Sequence, residues 1–320
     1  MRCVFLLIYA IVCGMEIFDN ILNEFHIENA YESWTEYRQY LTEWILASAE
    51  QIKNSIPEEA NASPFRILII GIGAGNDIDL RTLLKRGYEL ELLDMDESAV
   101  EEAIKRYQIS PSDPVKIRIH SLTGITQKDI SAFFYKMYLF MIQERHAMTE
   151  RRFMEYALRE ESVLLQKIEE ETKKLPDIIP QDSTDLVIAV GLFSQLFTLL
   201  SYAYQVLLSN ASEAFFHGQM PEKDLFHERL METDNRLIPE LMQRLFQAAR
   251  FGILLGNEWD PKNPVEGAQQ SLSFARDYGK KKMARIEEST KVWPFSPETG
   301  KQYIMLLQKI TKIKLEKEQR

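Results

Sequence analysis

Gly71, Gly73 and Gly75 stand at alternate positions directly after the apolar run Ile67-Leu68-Ile69-Ile70. Asp94 closes a second apolar run, 23 positions after Gly71. A backbone that turns sharply out of a strand and lies against a ligand has no room for Cβ atoms, so glycines suit it. A carboxylate at the end of the next strand can accept hydrogen bonds from a ribose. Strand, glycine turn, helix, strand and acid in this order is how doubly wound folds hold a nucleoside cofactor.

Other reactive groups are sparse. Both cysteines, Cys3 and Cys13, precede Gly14, so thiolate chemistry, thiolate metal sites and disulfides are excluded from Gly14 onward. No His/Asp/Glu cluster has metal-ligand spacing, and no metal is expected. Candidate bases are His120, at a strand end, and His217, in a region that could cover an acceptor. A strand-end histidine is more often a hydrogen-bonded structural residue.

These groups must be positioned by the elements around them. Residues 66–70, 89–93 and 115–120 read as strands, and 77–86 and 97–107 as helices, with Gly87 suited to a C-cap. From Ile125 to Leu175 there is neither glycine nor proline. That is too long for a crossover helix and reads as a helical insertion, one long helix or a pair. Thr184–Val190 is a buried strand, 192–208 a helix, 210–221 a loop, 222–249 a helix that Pro239 kinks or breaks, and 251–256 a strand. The tail, 281–313, reads as a hairpin turning at 294–300. Residues 16–56 are helical, with an aromatic stripe (Tyr31, Trp34, Tyr37, Tyr40, Trp44) that packs on the main domain or covers a ligand. Trp293 and Phe295 close the sheet edge or wall an acceptor pocket.

The G-x-G-x-G spacing departs from the dinucleotide pattern, which needs glycine or alanine where Asn76 stands. This counts against NAD and FAD. Ile67–Gly75 resembles instead the first motif of the class I S-adenosylmethionine-dependent methyltransferases. The stretch from Leu92 to Ala103 resembles their second strand and following helix, and Asp185–Leu196 their fourth-strand motif. The resemblance implies an α/β fold: a doubly wound, mostly parallel seven-stranded sheet with an antiparallel C-terminal strand, an N-terminal helical extension, and the helical insertion between strands three and four. It implies S-adenosyl-L-methionine as cofactor, held by Gly71, Ile72, Gly73, Gly75, Asn76, Asp77, Asp94, Met95, Ser121, Leu122 and Gly191. Asp94 would bind the ribose hydroxyls and Met95 would pack on the adenine. The acidic residue that many members carry two places before the first glycine is Ile69 here, and the one after strand three is Ser121. Asn76 and Asp77 could compensate by reaching the methionine end.

The activity implied is methyl transfer to a small molecule or, failing that, a protein. The alternatives are a non-catalytic scaffold with the same fold and, more remotely, an NAD-dependent oxidoreductase. The chain lacks the Asn/Asp-Pro-Pro-Tyr signature of many amino-group methyltransferases, which argues against adenine, cytosine or glutamine as acceptor. The net charge of −10 argues against nucleic acid as the main partner. The insertion at 125–175 could offer a surface to a protein partner. Residues 15–62 are expected as the helical extension and 63–320 as the main domain, interrupted at about 125–180. The apolar run Cys3–Cys13 is too short to span a bilayer, for which about 20 residues are needed. It is upstream sequence ahead of a start at Met15, a signal or anchor, or a folded apolar segment. A cysteine-free body fits a cytoplasmic protein.

Overall fold

The computed structural model describes residues 21, 27–56, 64–219, 224–260, 262, 265, 267–281 and 283–313. The run Cys3–Cys13, the first helical stretch at 16–20 and 22–26, and most of the linker at 57–64 lie outside the described residues.

Seven strands form one sheet: β1 (Arg66–Ile70), β2 (Glu89–Asp94), β3 (Val115–Ile119), β4 (Thr184–Val190), β5 (Ala249–Glu258), β6 (Ala284–Ser296) and β7 (Lys301–Lys312). Their order is β3-β2-β1-β4-β5-β7-β6. The first five are parallel, and β7 runs antiparallel to β5 and β6. β1 and β4 are almost wholly buried, which is why both read as unbroken apolar runs. Asp185, inside β4, joins three strands: it accepts from the Arg66 amide at 2.8 Å and from Arg250 at 2.9 Å.

The chain divides into two compact units. One holds the sheet: Glu28–Ser121, Lys174–Gln195 and the chain from Ile238 onward. It includes the helix Thr35–Asn54, which buries Tyr37, Leu41, Ile45, Ala49 and Ile52 along one face. A Cβ on Gly252 of β5 would lie 2.7 Å from Ile52, so this helix packs hard against the sheet.

The other unit is helical and comprises Leu122–Lys173 and Leu196–Leu237. The glycine-free insertion forms two helices, Gln127–Gln143 and Glu150–Thr172. Thr126 and Asp129 make a capping box on the first, and Thr149 caps the second. Lys167 reaches back to Asp129 at 2.7 Å. Tyr204, from the helix Thr198–Phe215, stacks edge-on against Phe133 at 5.1 Å and Phe226 at 5.2 Å.

Four expectations need correction. The helix expected from 77 starts at Leu80, because Asp79 accepts from the Thr82 amide and hydroxyl and caps there. The helix expected at 192–208 starts at Thr198 and runs to Phe215, through the expected loop. Ala211 and Ser212 are buried in it, and the Asn210 amide donates to the Tyr138 hydroxyl at 2.7 Å. The strand expected at 251–256 extends to Glu258 because β7 pairs with it as far as Met305. A helix not foreseen, Ala268–Lys280, buries Ala268, Leu272 and Ala275.

Candidate functional site

Strand register brings the carboxyl ends of β1, β2, β4 and β5 level. Ile70 lies beside Leu93 and Ala189, and Val190 beside Gly256. The chain reverses direction across the sheet between β1 and β4, and ligands of open α/β sheets bind at that point.

The glycine turn is held from behind. Three consecutive carbonyls each take a side-chain donor. Arg106 donates to Ala74 O, the Tyr107 hydroxyl to Gly75 O at 2.7 Å, and Arg38 to Asn76 O at 3.0 Å. Arg106 also holds the Asn76 side chain, through Oδ1 at 2.7 Å. Thr42 accepts from the Asp79 amide at 3.0 Å. The N-terminal helix therefore shapes the turn through Arg38 and Thr42.

On its other side the turn is open. Gly73 has φ +51°, and a Cβ there would meet nothing within 4 Å. Its amide donates to Asp94 Oδ2 at 2.8 Å, while the Asp96 amide donates to Oδ1 at 2.9 Å. Burial pushes the Asp94 carboxyl up, against the pull of these amides. The Met95 amide acts on the same carboxylate, which still keeps lone-pair capacity for a further donor. Met95, next to it, is 43% exposed although it is a large apolar residue. At the head of β4, Gly191 also has nothing within 4 Å of a Cβ.

The register thus brings Gly71, Gly73, Gly75, Asp94 and Gly191 to one end of the sheet. Ile72 is buried beneath the turn. Asp77 follows the turn, and burial raises its carboxyl to about 7 against the opposing pull of its own amide and of Arg38. Ser121 is buried after β3. Leu122, also buried, begins the helical unit. His120 is half-buried, and its amide donates to Asp94 O at 2.7 Å. His217 is exposed in the helical unit, in a left-handed turn with φ 54°.

At this end of the sheet unit Glu258 escaped sequence reasoning, and the sequence places Tyr37 only as one member of an aromatic stripe. Glu258, the last residue of β5, is 3% exposed. The side chains of Ser194 and Gln195 donate to it, and burial still pushes its pKa up. Tyr37 is 2% exposed, and its hydroxyl is pushed well above its ordinary value by burial and by the charges of Asp77 and Glu258. Strand alternation gives Glu258 the same face as Gly252, the face that meets the N-terminal helix.

The five parallel strands are closed by β7, which runs antiparallel between β5 and β6. This is the fold of the class I methyltransferases. No protein-family model matches the chain, and no curated protein matches it. Among solved structures it is similar to an S-adenosylmethionine-dependent methyltransferase from Methanosarcina mazei, at 12% identity and a TM-score of 0.39, covering 82% of this chain and 97% of that one. It is also similar to the magnesium protoporphyrin IX methyltransferase of Synechocystis PCC 6803, solved with bound cofactor, at 11% identity and a TM-score of 0.38, covering 92% and 96%. The strand order of this chain carries the fold assignment, and neither likeness speaks for its activity or acceptor.

Among the described residues, no group of three or more His, Cys, Asp or Glu could hold a metal ion, and no helix is long and apolar enough to cross a membrane.

Proposed function

We propose that the sheet unit binds S-adenosyl-L-methionine and transfers its methyl group to a small-molecule acceptor. The observation that carries this is the open cradle at Gly73 beside the Asp94 carboxylate. A side chain at Gly73 would occupy the space that a ribose needs, and Asp94 has lone pairs left for its hydroxyls. The exposed Met95 is the apolar surface on which an adenine would rest. Asp77 is the carboxyl suited to an ammonium group at the other end of the ligand. The donor set is carboxylate, backbone and apolar, and it fits a nucleoside with a cationic tail.

When bound, the cofactor supplies a methyl group on a positively charged sulfur. What the chain contributes is position and the exclusion of water. The three clamped carbonyls fix the turn before a ligand arrives, so little ordering remains to be done on binding.

Calorimetry with S-adenosylmethionine, S-adenosylhomocysteine and NAD tests the reading. Binding of the first two and not of NAD is expected. Binding of NAD alone would overturn it. Tight S-adenosylhomocysteine binding without turnover across broad acceptor pools would favour a non-catalytic scaffold.

Gly73→Ala separates the cradle from the fold. The added Cβ finds space, so the structural cost is the left-handed backbone alone, about 1–2 kcal/mol. Cofactor affinity should fall by about tenfold or more, since the methyl fills the cradle. A variant that melts lower yet binds as tightly as wild type would show that the cradle does not face the ligand.

A further inference from the structure

Where the N-terminal helix lies on the sheet, several buried polar groups leave one another unsatisfied. Tyr37, Glu258 and Trp293 are 2%, 3% and 8% exposed. Among the described residues, Tyr37 Oη, Glu258 Oε2 and Trp293 Nε1 have no hydrogen-bond partner. The rings of Tyr37 and Trp293 stack at 5.9 Å, and Trp34 closes edge-on against Trp293 at 4.9 Å. Burial first, and then the charges of Asp77 and Glu258, raise the pKa of the Tyr37 hydroxyl. A buried polar atom without a partner costs about 1–3 kcal/mol. Three of them together, at the carboxyl end of β5, describe a site whose partner is a ligand.

Two of the orphaned atoms are donors, Tyr37 Oη and Trp293 Nε1; the Glu258 carboxyl and the aromatic rings beside them attract a cation. Arg38, the cation that acts on Asp77, gives its Nη1 to the carbonyls of Tyr31 and Asn76. The Trp293 N–H remains for an oxygen on the ligand's body.

We propose that this cluster seats the methyl acceptor, and that the acceptor is an alkylamine bound as its ammonium ion to Glu258, with an apolar or aromatic body against Tyr37 and Trp293. The inference rests on the methyl-transfer reading and names its substrate class. An ammonium nitrogen has no lone pair and must lose a proton before it can attack. Glu258 takes that proton. The freed electron pair forms the new nitrogen–carbon bond, the carbon–sulfur bond of the donor breaks, and its pair stays on sulfur as a neutral thioether. The proton passes from Glu258 to water as product leaves. Burial, which makes the Glu258 carboxylate more basic, suits it to this role.

The test is calorimetry on the full chain with three probes of one shape: tyramine (a cation), tyrosol (the neutral alcohol) and 3-(4-hydroxyphenyl)propanoate (an anion). Each is titrated with and without saturating S-adenosylhomocysteine. Tyramine should bind about tenfold or more tighter than tyrosol, with no binding of the anion. Glu258→Gln should weaken tyramine by about 30-fold and leave S-adenosylhomocysteine affinity as it was. That variant removes an incompletely paired buried carboxyl and should melt no lower than wild type; Tyr37→Phe, which removes one orphaned hydroxyl, gives a second handle on the same site. Equal binding of tyrosol or the anion, or unchanged tyramine affinity in Glu258→Gln, overturns the inference while S-adenosylhomocysteine binding keeps the cofactor reading intact. Tyramine selectivity in a chain that binds no S-adenosylhomocysteine overturns the acceptor role and the cofactor reading together.

Discussion

Asp94→Ala should weaken S-adenosylhomocysteine binding by about 1–3 kcal/mol, or roughly 5- to 150-fold, because charge-assisted hydrogen bonds to the ribose are lost. The carboxylate has two duties. It holds the amides of Gly73 and Asp96, and it offers its remaining lone pairs outward. Asp94→Asn separates them. The amide oxygen can still take one of the two backbone donors, so the turn keeps part of its anchor, but the negative charge is gone. Calorimetry should rank affinity as wild type, then Asn, then Ala. Equal affinity in all three proteins would mean that Asp94 serves the turn alone and that the cofactor lies elsewhere.

Much of this arrangement is local, and local signals are legible. The apolar run before Gly71 pairs with β2 and β4, and because both of its faces are buried it has no polar side to interrupt its pattern. Asp96 caps the next helix through the Ala99 amide, three residues on. The capping box of Thr126 and Asp129 likewise belongs to four neighbouring residues. Glu258 was not legible because its place depends on β7, nearly fifty residues later, which extends β5 past Gly256. Read locally, Gly256-Asn257-Glu258 looks like the end of a strand. Tyr37 posed a different difficulty. It belongs to a stripe at helical spacing whose other members, Leu41 and Ile45, are plain core. Nothing in the spacing says that one hydroxyl in that stripe is buried without a hydrogen-bond partner among the described residues. The loop expected at 210–221 failed for a similar reason: Asn210 and Ser212 suggest solvent, but a tyrosine from a helix 72 positions earlier receives the asparagine amide.

The helical unit carries the other large effect. Glu161, in the helix Glu150–Thr172, is fully buried, and its carboxyl is pushed up to about 7 by burial, against the opposing pull of Arg229 at 2.8 Å. In the unfolded chain the same group titrates near its ordinary value of 4.5. The folded state therefore holds its proton more tightly than the unfolded state. The stability that goes with that proton is complete below the unfolded value and is lost as the pH rises toward the folded one. A shift of this size corresponds to about 3 kcal/mol between pH 4 and pH 8. Glu161→Gln cannot ionise, so its urea-unfolding stability should stay above the wild-type curve by a margin that widens across this range. Parallel curves would show that Glu161 does not titrate there. Arg229 offers the complementary test, since it also donates to Ser162 at 2.8 Å and ties two helices together. Arg229→Met removes the only countercharge that acts on Glu161 among the described residues and should cost about 3–5 kcal/mol at pH 8. Adding Glu161→Gln to it should recover most of that loss, because the penalty comes from the uncompensated carboxylate and not from the missing guanidinium. A double variant as unstable as Arg229→Met alone would assign the loss to packing.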